Sequence, residues 1–263
     1  MTQLKNIVAV ASGKGGVGKS TVAANLAVAL AAHSKQVALI DADFYGPSIP
    51  LLFGGGKIEA DHQGKIIPPL KFGVKYISLQ FFLENPDDPV IWRGPMFTKA
   101  LHQLFYDVNW GAVDYCIVDM PPGTGDAQLS LAQMVQLSGA LIVTTPQEMA
   151  LADVRKAINM LSRVNVDVLG IVENMAGFVA PDGQRYDIFG SGGGKKLADA
   201  FNVPLLASIP VDPRIREAGD SGEPIAAAQE DACGHYQKLA LRLIEILAER
   251  EQAGEGSLKI VSQ

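Results

Sequence analysis

Gly13-Lys14-Gly15-Gly16-Val17-Gly18-Lys19-Ser20 follows the apolar run Ile7-Val8-Ala9-Val10-Ala11 and leads into an alanine-rich helical pattern from Lys19 to Ala32. Strand, glycine loop and helix in that order form the setting in which backbone N–H groups wrap a phosphate chain at a helix N-terminus. Gly13, Gly18, Lys19 and Ser20 fill every fixed position of G-x-x-x-x-G-K-[ST]. In that pattern the lysine reaches the β- and γ-phosphates and the hydroxyl completes a Mg²⁺ shell. Gly13, Gly15 and Gly18 also satisfy G-x-G-x-x-G, and Asp41 falls about where a dinucleotide fold places its ribose-binding acid. A dinucleotide loop has no use for a Lys-Ser pair after its last glycine, whereas a magnesium-bound triphosphate does. The reading is a nucleoside triphosphate, with Gly13, Gly15, Gly16, Val17, Gly18, Lys19, Ser20 and Thr21 as its binding loop.

With 263 residues, 48% of them hydrophobic, the chain is long enough for one large α/β domain. We assign residues 1–250 to that domain and 251–263 to a flexible polar tail. A net charge of −6 argues against broad binding to a nucleic-acid backbone, which needs a basic face. Cys116 and Cys233 are too few and too far apart for a disulfide framework, which makes a cytoplasmic setting the expectation. Met1 to Lys5 leads directly into a strand, without the pattern of a secretory leader. The apolar runs are strand-length and fall short of a membrane span.

Further strands follow. Gln36–Ile40 ends at Asp41-Ala42-Asp43, two acids at the carboxyl edge beside the phosphate loop, where open α/β sheets bind ligands. Either can orient water or support a metal shell. Ser48 or Pro50 opens a short helix, residues 54–69 read as mobile, and Val74–Leu79 reads as a strand. Asn85–Pro89 is a turn, and a helix runs from Phe97 to Asp107. Tyr115–Val118 ends at Asp119, the acid that reaches Mg²⁺ through water in a phosphate-loop enzyme. Pro121-Pro122-Gly123-Thr124-Gly125-Asp126 is a glycine-hinged loop that can respond to the γ-phosphate, with Asp126 either a cap for the next helix or an acid that relays the change. Strands at 140–144, 168–172 and 205–209, a helix at 148–163 and a last helix at 233–250 complete a mainly parallel sheet covered by helices on both faces. Asn174 is either a turn residue or a group that bonds a base edge. Ser191-Gly192-Gly193-Gly194-Lys195-Lys196 is either a flexible start to a helix or an anion site.

The run Lys14-Gly15-Gly16-Val17-Gly18-Lys19-Ser20-Thr21 resembles the deviant phosphate loop of the MinD, ParA and NifH-type ATPases. That resemblance implies that Lys14 crosses a homodimer interface to the facing subunit's ATP. With Asp41 through Pro50, Trp92-Arg93-Gly94-Pro95-Met96 and Asp119 through Asp126, the likeness narrows to the Mrp/ApbC branch and covers roughly residues 5 to 250. Members of that branch are iron-sulfur cluster carriers or assembly scaffolds. The resemblance implies ATP and Mg²⁺ as cofactors, a cluster as cargo, and client or assembly proteins as partners. It implies that Lys14 and Lys19 stabilise charge and that Asp43 positions the attacking water. Asp41 then supports the magnesium shell with Ser20 and Asp119, while Asn174 reads adenine with Pro210 and Asp212 across the ring.

One departure matters. The branch carries a C-x-x-C pair after Glu-Asn-Met, whereas this chain reads Glu173-Asn174-Met175-Ala176-Gly177-Phe178-Val179-Ala180-Pro181-Asp182-Gly183. A [4Fe–4S] cluster takes four thiolates. Cys116 falls within an apolar strand, Cys233 falls near a helix start, and His33, His62, His102 and His235 have no metal-ligand spacing. A cluster-free, ATP-switched binding or regulatory protein is therefore the alternative. A positioning ATPase acting on DNA or lipid ranks below both, given the acidic charge and a tail too short for an amphipathic anchor.

Overall fold

The computed structural model describes residues 3–83, 94–228 and 233–254. The expected turn at Asn85–Pro89, and Trp92 and Arg93 of the tryptophan-containing motif, lie outside them. Seven parallel strands form the body of the sheet: β1 (Ile7–Ala11), β2 (Val37–Asp41), β3 (Val74–Ser78), β4 (Tyr115–Asp119), β5 (Gly139–Thr144), β6 (Val168–Val179) and β7 (Leu205–Val211). Their spatial order is β7-β6-β5-β1-β4-β2-β3. Short antiparallel strands, Leu70–Lys71 on β3 and Arg185–Tyr186 on β6, flank this body. Every residue of β1, β2, β4 and β5 is buried, as expected of parallel strands covered on both sides.

The strand period of two divides the core. Ile7, Ala9 and Ala11 join a cluster with Leu101, Leu104, Leu131, Val154 and Leu197, contributed by α3 (Gly94–Tyr106), α4 (Asp126–Met134), α5 (Glu148–Arg163) and α6 (Gly193–Phe201). Val8 and Val10 face the opposite cluster, built with α1 (Lys19–Ala32) and α8 (Gly234–Gln252). The stretch of α1 from Val22 to Leu30 is buried, because α1 lies between the sheet and α8. Tyr236, Ala240, Leu243 and Leu247 form the apolar face of α8, as their spacing predicts.

The structure corrects several local expectations. Residues 54–69 contain local structure that the sequence did not show: Glu59–Ala60 pairs with Ile66–Ile67, and Asp61 Oδ1 accepts the N–H groups of Gln63 and Lys65 at 2.8 and 2.9 Å. Strands this short carry too little periodicity to be read from sequence. Asp126 is not the cap of α4. Gly125 takes the cap position and Asp126 is the first helical residue, where its charge meets the positive end of the helix dipole. The strand expected to stop at Val172 runs to Val179, its pairing with β7 interrupted between Asn174 and Phe178. The strand expected to reach Leu79 stops at Ser78, which caps a 3₁₀ turn over Leu79–Phe82.

The Tyr236 side chain is fully buried and its hydroxyl has no hydrogen-bond partner among the described residues. An unsatisfied buried hydroxyl costs about 1–3 kcal/mol. Tyr236→Phe should therefore preserve or raise stability in urea unfolding, whereas Leu243→Ala at the same seam should lose about 2–5 kcal/mol.

Candidate functional site

β1, β4 and β2 are neighbours in the sheet, so the segments that leave their carboxyl ends meet above its middle. Asp41 and Asp119 stand directly opposite each other across β2 and β4. Lys19, the first residue of α1, extends between the acids: its Nζ is 2.6 Å from Asp119 Oδ1 and 3.3 Å from Asp43 Oδ2. Ser20 Oγ accepts a bond from the same ammonium at 3.4 Å. Residues from three segments recognised separately in the sequence thus converge on one point.

Burial sets the electrostatics. Desolvation pulls the Lys19 ammonium down, but Asp119 and Asp43 outweigh it and hold its pKa above the ordinary lysine value. Burial raises the Asp119 carboxyl, against the opposing attraction of Lys19. Burial, with Asp119 next to it, pushes Asp41 up to about 8 despite bonds from Ile49 and Ser78. Asp119 Oδ2 is buried and accepts no hydrogen bond among the described residues.

The loop itself is shaped by two glycines with different reasons to be glycine. A β-carbon on Gly13 would overlap the backbone of Asp153 and Val154, so the loop lies directly against α5. Gly18 has φ +82°, and a β-carbon there would run into the Asn174 amide. Asn174 Nδ2 donates to the Val17 carbonyl at 2.9 Å, which ties the end of β6 to the phosphate loop. Lys14 lines the phosphate cavity of about 270 Å³ together with Gly16, Lys19, Ser20 and Asp43. Its ammonium has no ion-pair partner among the described residues.

A second cavity of about 300 Å³ opens beside the first and shares Gly18 and Thr21 with it. Asn174, Pro210 and Asp212 all line it, so the three residues expected at a base lie together. The Asp212 carboxylate is otherwise engaged: it caps α7 (Pro213–Asp220) through the Arg214 N–H at 2.9 Å and pairs with the Arg214 guanidinium at 2.7 Å. Leu51 and Leu52, from the four-residue helix α2 (Ile49–Leu52), form part of the opposite wall. Sequence reasoning missed them, because one helical turn leaves no periodic signal. Ser48 occupies the N-cap position of α2 and Pro50 lies within its first turn.

A strand–loop–helix turn, its lysine held between acids at or just past the ends of two neighbouring strands, adjoins a second cavity of about 300 Å³. A family signature described as "ParA: NUBPL iron-transfer P-loop NTPase" matches residues 3–244. The chain belongs to this family of nucleotide-binding P-loop NTPases. It is 50% identical over 249 residues to the iron-sulfur cluster carrier protein of Aquifex aeolicus, covering 94% of this chain and 68% of that one. With the iron-sulfur cluster transfer protein NUBPL of Dictyostelium discoideum it shares 44% identity over 250 residues, covering 93% of this chain and 77% of that one. A nucleotide-binding protein from Archaeoglobus fulgidus, solved in complex with ADP, superposes with a TM-score of 0.76 at 40% identity, covering 88% of this chain and 91% of that one. The cell division ATPase MinD of Pyrococcus furiosus follows the same fold at TM-score 0.68 and 26% identity, over 92% of this chain and 100% of that one.

The thiols and imidazoles of this chain lie apart from one another. Both cysteines and all four histidines lie within the described residues, and no group of three or more potential metal ligands forms among those residues. Cys116 lies in β4 with no exposure, and burial raises its thiol well above the ordinary range. Cys233 is half-buried at the start of α8. The segment where the thiol pair is missing is a closed hairpin: Gly183 N donates to Ala180 O at 2.8 Å, and Arg185 donates to Asp187 at 3.0 Å and to the Ala176 carbonyl at 3.2 Å. Gly193 and Gly194 serve packing, since a β-carbon on them would run into Pro146 and Glu173, whereas Gly192 supplies the left-handed cap at φ +70°. Gly194 N donates to the Glu173 carboxylate at 2.7 Å, which places the protein's own acid at the start of α6 where an anion was weighed.

Gly13→Ala should destabilise the protein by about 1–3 kcal/mol through its clash with α5, read as a lower urea midpoint at unchanged m-value.

Proposed function

We propose that this chain is a Mg-dependent ATPase that works as a homodimer in iron-sulfur cluster delivery or assembly. The observation that carries the ATPase part is the convergence of Lys19 on Asp119 and Asp43 beside a cradle of backbone amides. Water attacks the γ-phosphorus, the bond to the β–γ bridging oxygen breaks, and ADP and phosphate leave. Asp43 orients the water. Lys19 and the facing subunit's copy of Lys14 stabilise the charge that develops on the phosphoryl oxygens. Ser20 and Asp119 would hold Mg²⁺, a role supported by the unpaired, buried Asp119 Oδ2, with Asp41 in support. The ion neutralises phosphate charge when bound. Asn174, Pro210 and Asp212 flank adenine in the cavity they share. The working unit is the single domain, residues 1–250, with the polar remainder as a tail, and a cytoplasmic setting fits its free thiols.

Two substitutions test the mechanism. Lys19→Ala should abolish phosphate release. Lys14→Ala should lower it by about 10²–10³-fold, the scale of losing one charge-stabilising donor, and weaken ATP-dependent dimers in sedimentation velocity. Unchanged turnover in both variants would end this mechanism.

A second reading, a cluster-free ATP-switched protein that binds partners, is favoured by the thiols. Two subunits with Cys116 sealed in the sheet offer two accessible thiolates, and a [4Fe–4S] cluster takes four. Anaerobic reconstitution with iron and sulfide, alongside an apo-ferredoxin control, separates the two. A stoichiometric visible chromophore supports cluster carriage. Iron at background with intact ATP hydrolysis supports the switch.

A further inference from the structure

Asp41 is fully buried, and both of its carboxylate oxygens are engaged within the protein. Oδ1 accepts the Asp43 N–H at 3.2 Å. Oδ2 accepts the Ile49 N–H at 3.2 Å and the Ser78 hydroxyl at 3.0 Å. One carboxylate therefore grips two things at once: the backbone of the acid that faces Lys19, and the first residue of the helix that walls the base cavity. Ile49 is fully buried and starts α2, and two residues later Leu51, with Leu52, reaches that cavity. Asp43 lines the phosphate cavity and takes no part in the base cavity.

We propose that Asp41, braced by Ser78, is a positioning residue that makes the placement of Asp43 depend on the nucleoside as well as on the phosphates. The inference rests on the nucleotide reading above and deepens it. A nucleoside in the second cavity presses on Leu51 and Leu52. The short helix passes that constraint through the Ile49 N–H to Asp41, and Asp41 passes it to the Asp43 N–H. Four residues of helix have little stability of their own, so this wall takes its position from its tethers and its contacts. Ser78 supplies the one side-chain donor in the brace and touches neither cavity, so it is the place to loosen the linkage without touching the ligand.

The test is amide hydrogen exchange at Asp43 and Ile49 in the native protein, saturated with Mg-ADP or with Mg-pyrophosphate, saturation being set by calorimetry. Mg-ADP should slow exchange at both amides about fivefold more than Mg-pyrophosphate does, and the difference should vanish in Ser78→Ala. In steady-state hydrolysis of ATP, Ser78→Ala should lower kcat about tenfold with KM within about twofold. Equal protection by the two ligands, a difference that survives in Ser78→Ala, or a rise in KM at constant kcat would overturn the linkage. If Ser78→Ala does not fold, the comparison in the native protein decides alone. Failure of native protein to bind Mg-ADP at all in the calorimeter would instead remove the nucleotide reading.

Discussion

A lysine held between two carboxylates, in a place with little water, is the constraint to which the rest of the molecule is fitted. Lys19 is 5% exposed and Asp119 has no exposure. Removing Lys19 would strand the Asp119 carboxylate in a low-dielectric site, which costs about 3–5 kcal/mol. The arrangement holds only if three chain segments from neighbouring strands end at the same height. The parallel order β1-β4-β2 supplies that alignment, since adjacent parallel strands deliver their carboxyl ends to one edge.

That edge is also where backbone bonds join one loop to the next. Gly123 N donates to Ser12 O at 3.0 Å, and Ala42 N donates to Asp119 O at 2.9 Å. The loop after β4 therefore touches the phosphate loop, and the loop after β2 touches β4. Asn174 bonds Val17, and Gln128 in α4 bonds the Pro121 carbonyl. Each segment expected to sense phosphate has a hydrogen bond to another part of the site.

The hairpin after Met175 follows a different logic. Its relatives are named as iron-sulfur carriers, yet here the turn is closed by backbone bonds and by Arg185. The hairpin keeps its shape without thiolate ligands.

Much of the site was legible in the sequence, because the phosphate loop is contiguous and its chemistry is local. The fixed positions Gly13, Gly18, Lys19 and Ser20 stand out by type and spacing, and an apolar strand that stops at an acid, as at Asp119, marks the sheet edge. The parallel sheet was legible too, from strands alternating with helices. Tertiary contact alone decided which groups these residues meet. The three donors that brace Asp41 come from residues 43, 49 and 78, and a carboxylate in sequence carries no sign of its partners. Leu51 and Leu52 became a cavity wall only because α2 lies against α7, and Gly13 had to be glycine only because α5 crosses above it. Local chemistry depends on neighbours along the chain and can be read from order, whereas long-range packing joins residues tens to hundreds of positions apart and exists only once the chain has folded.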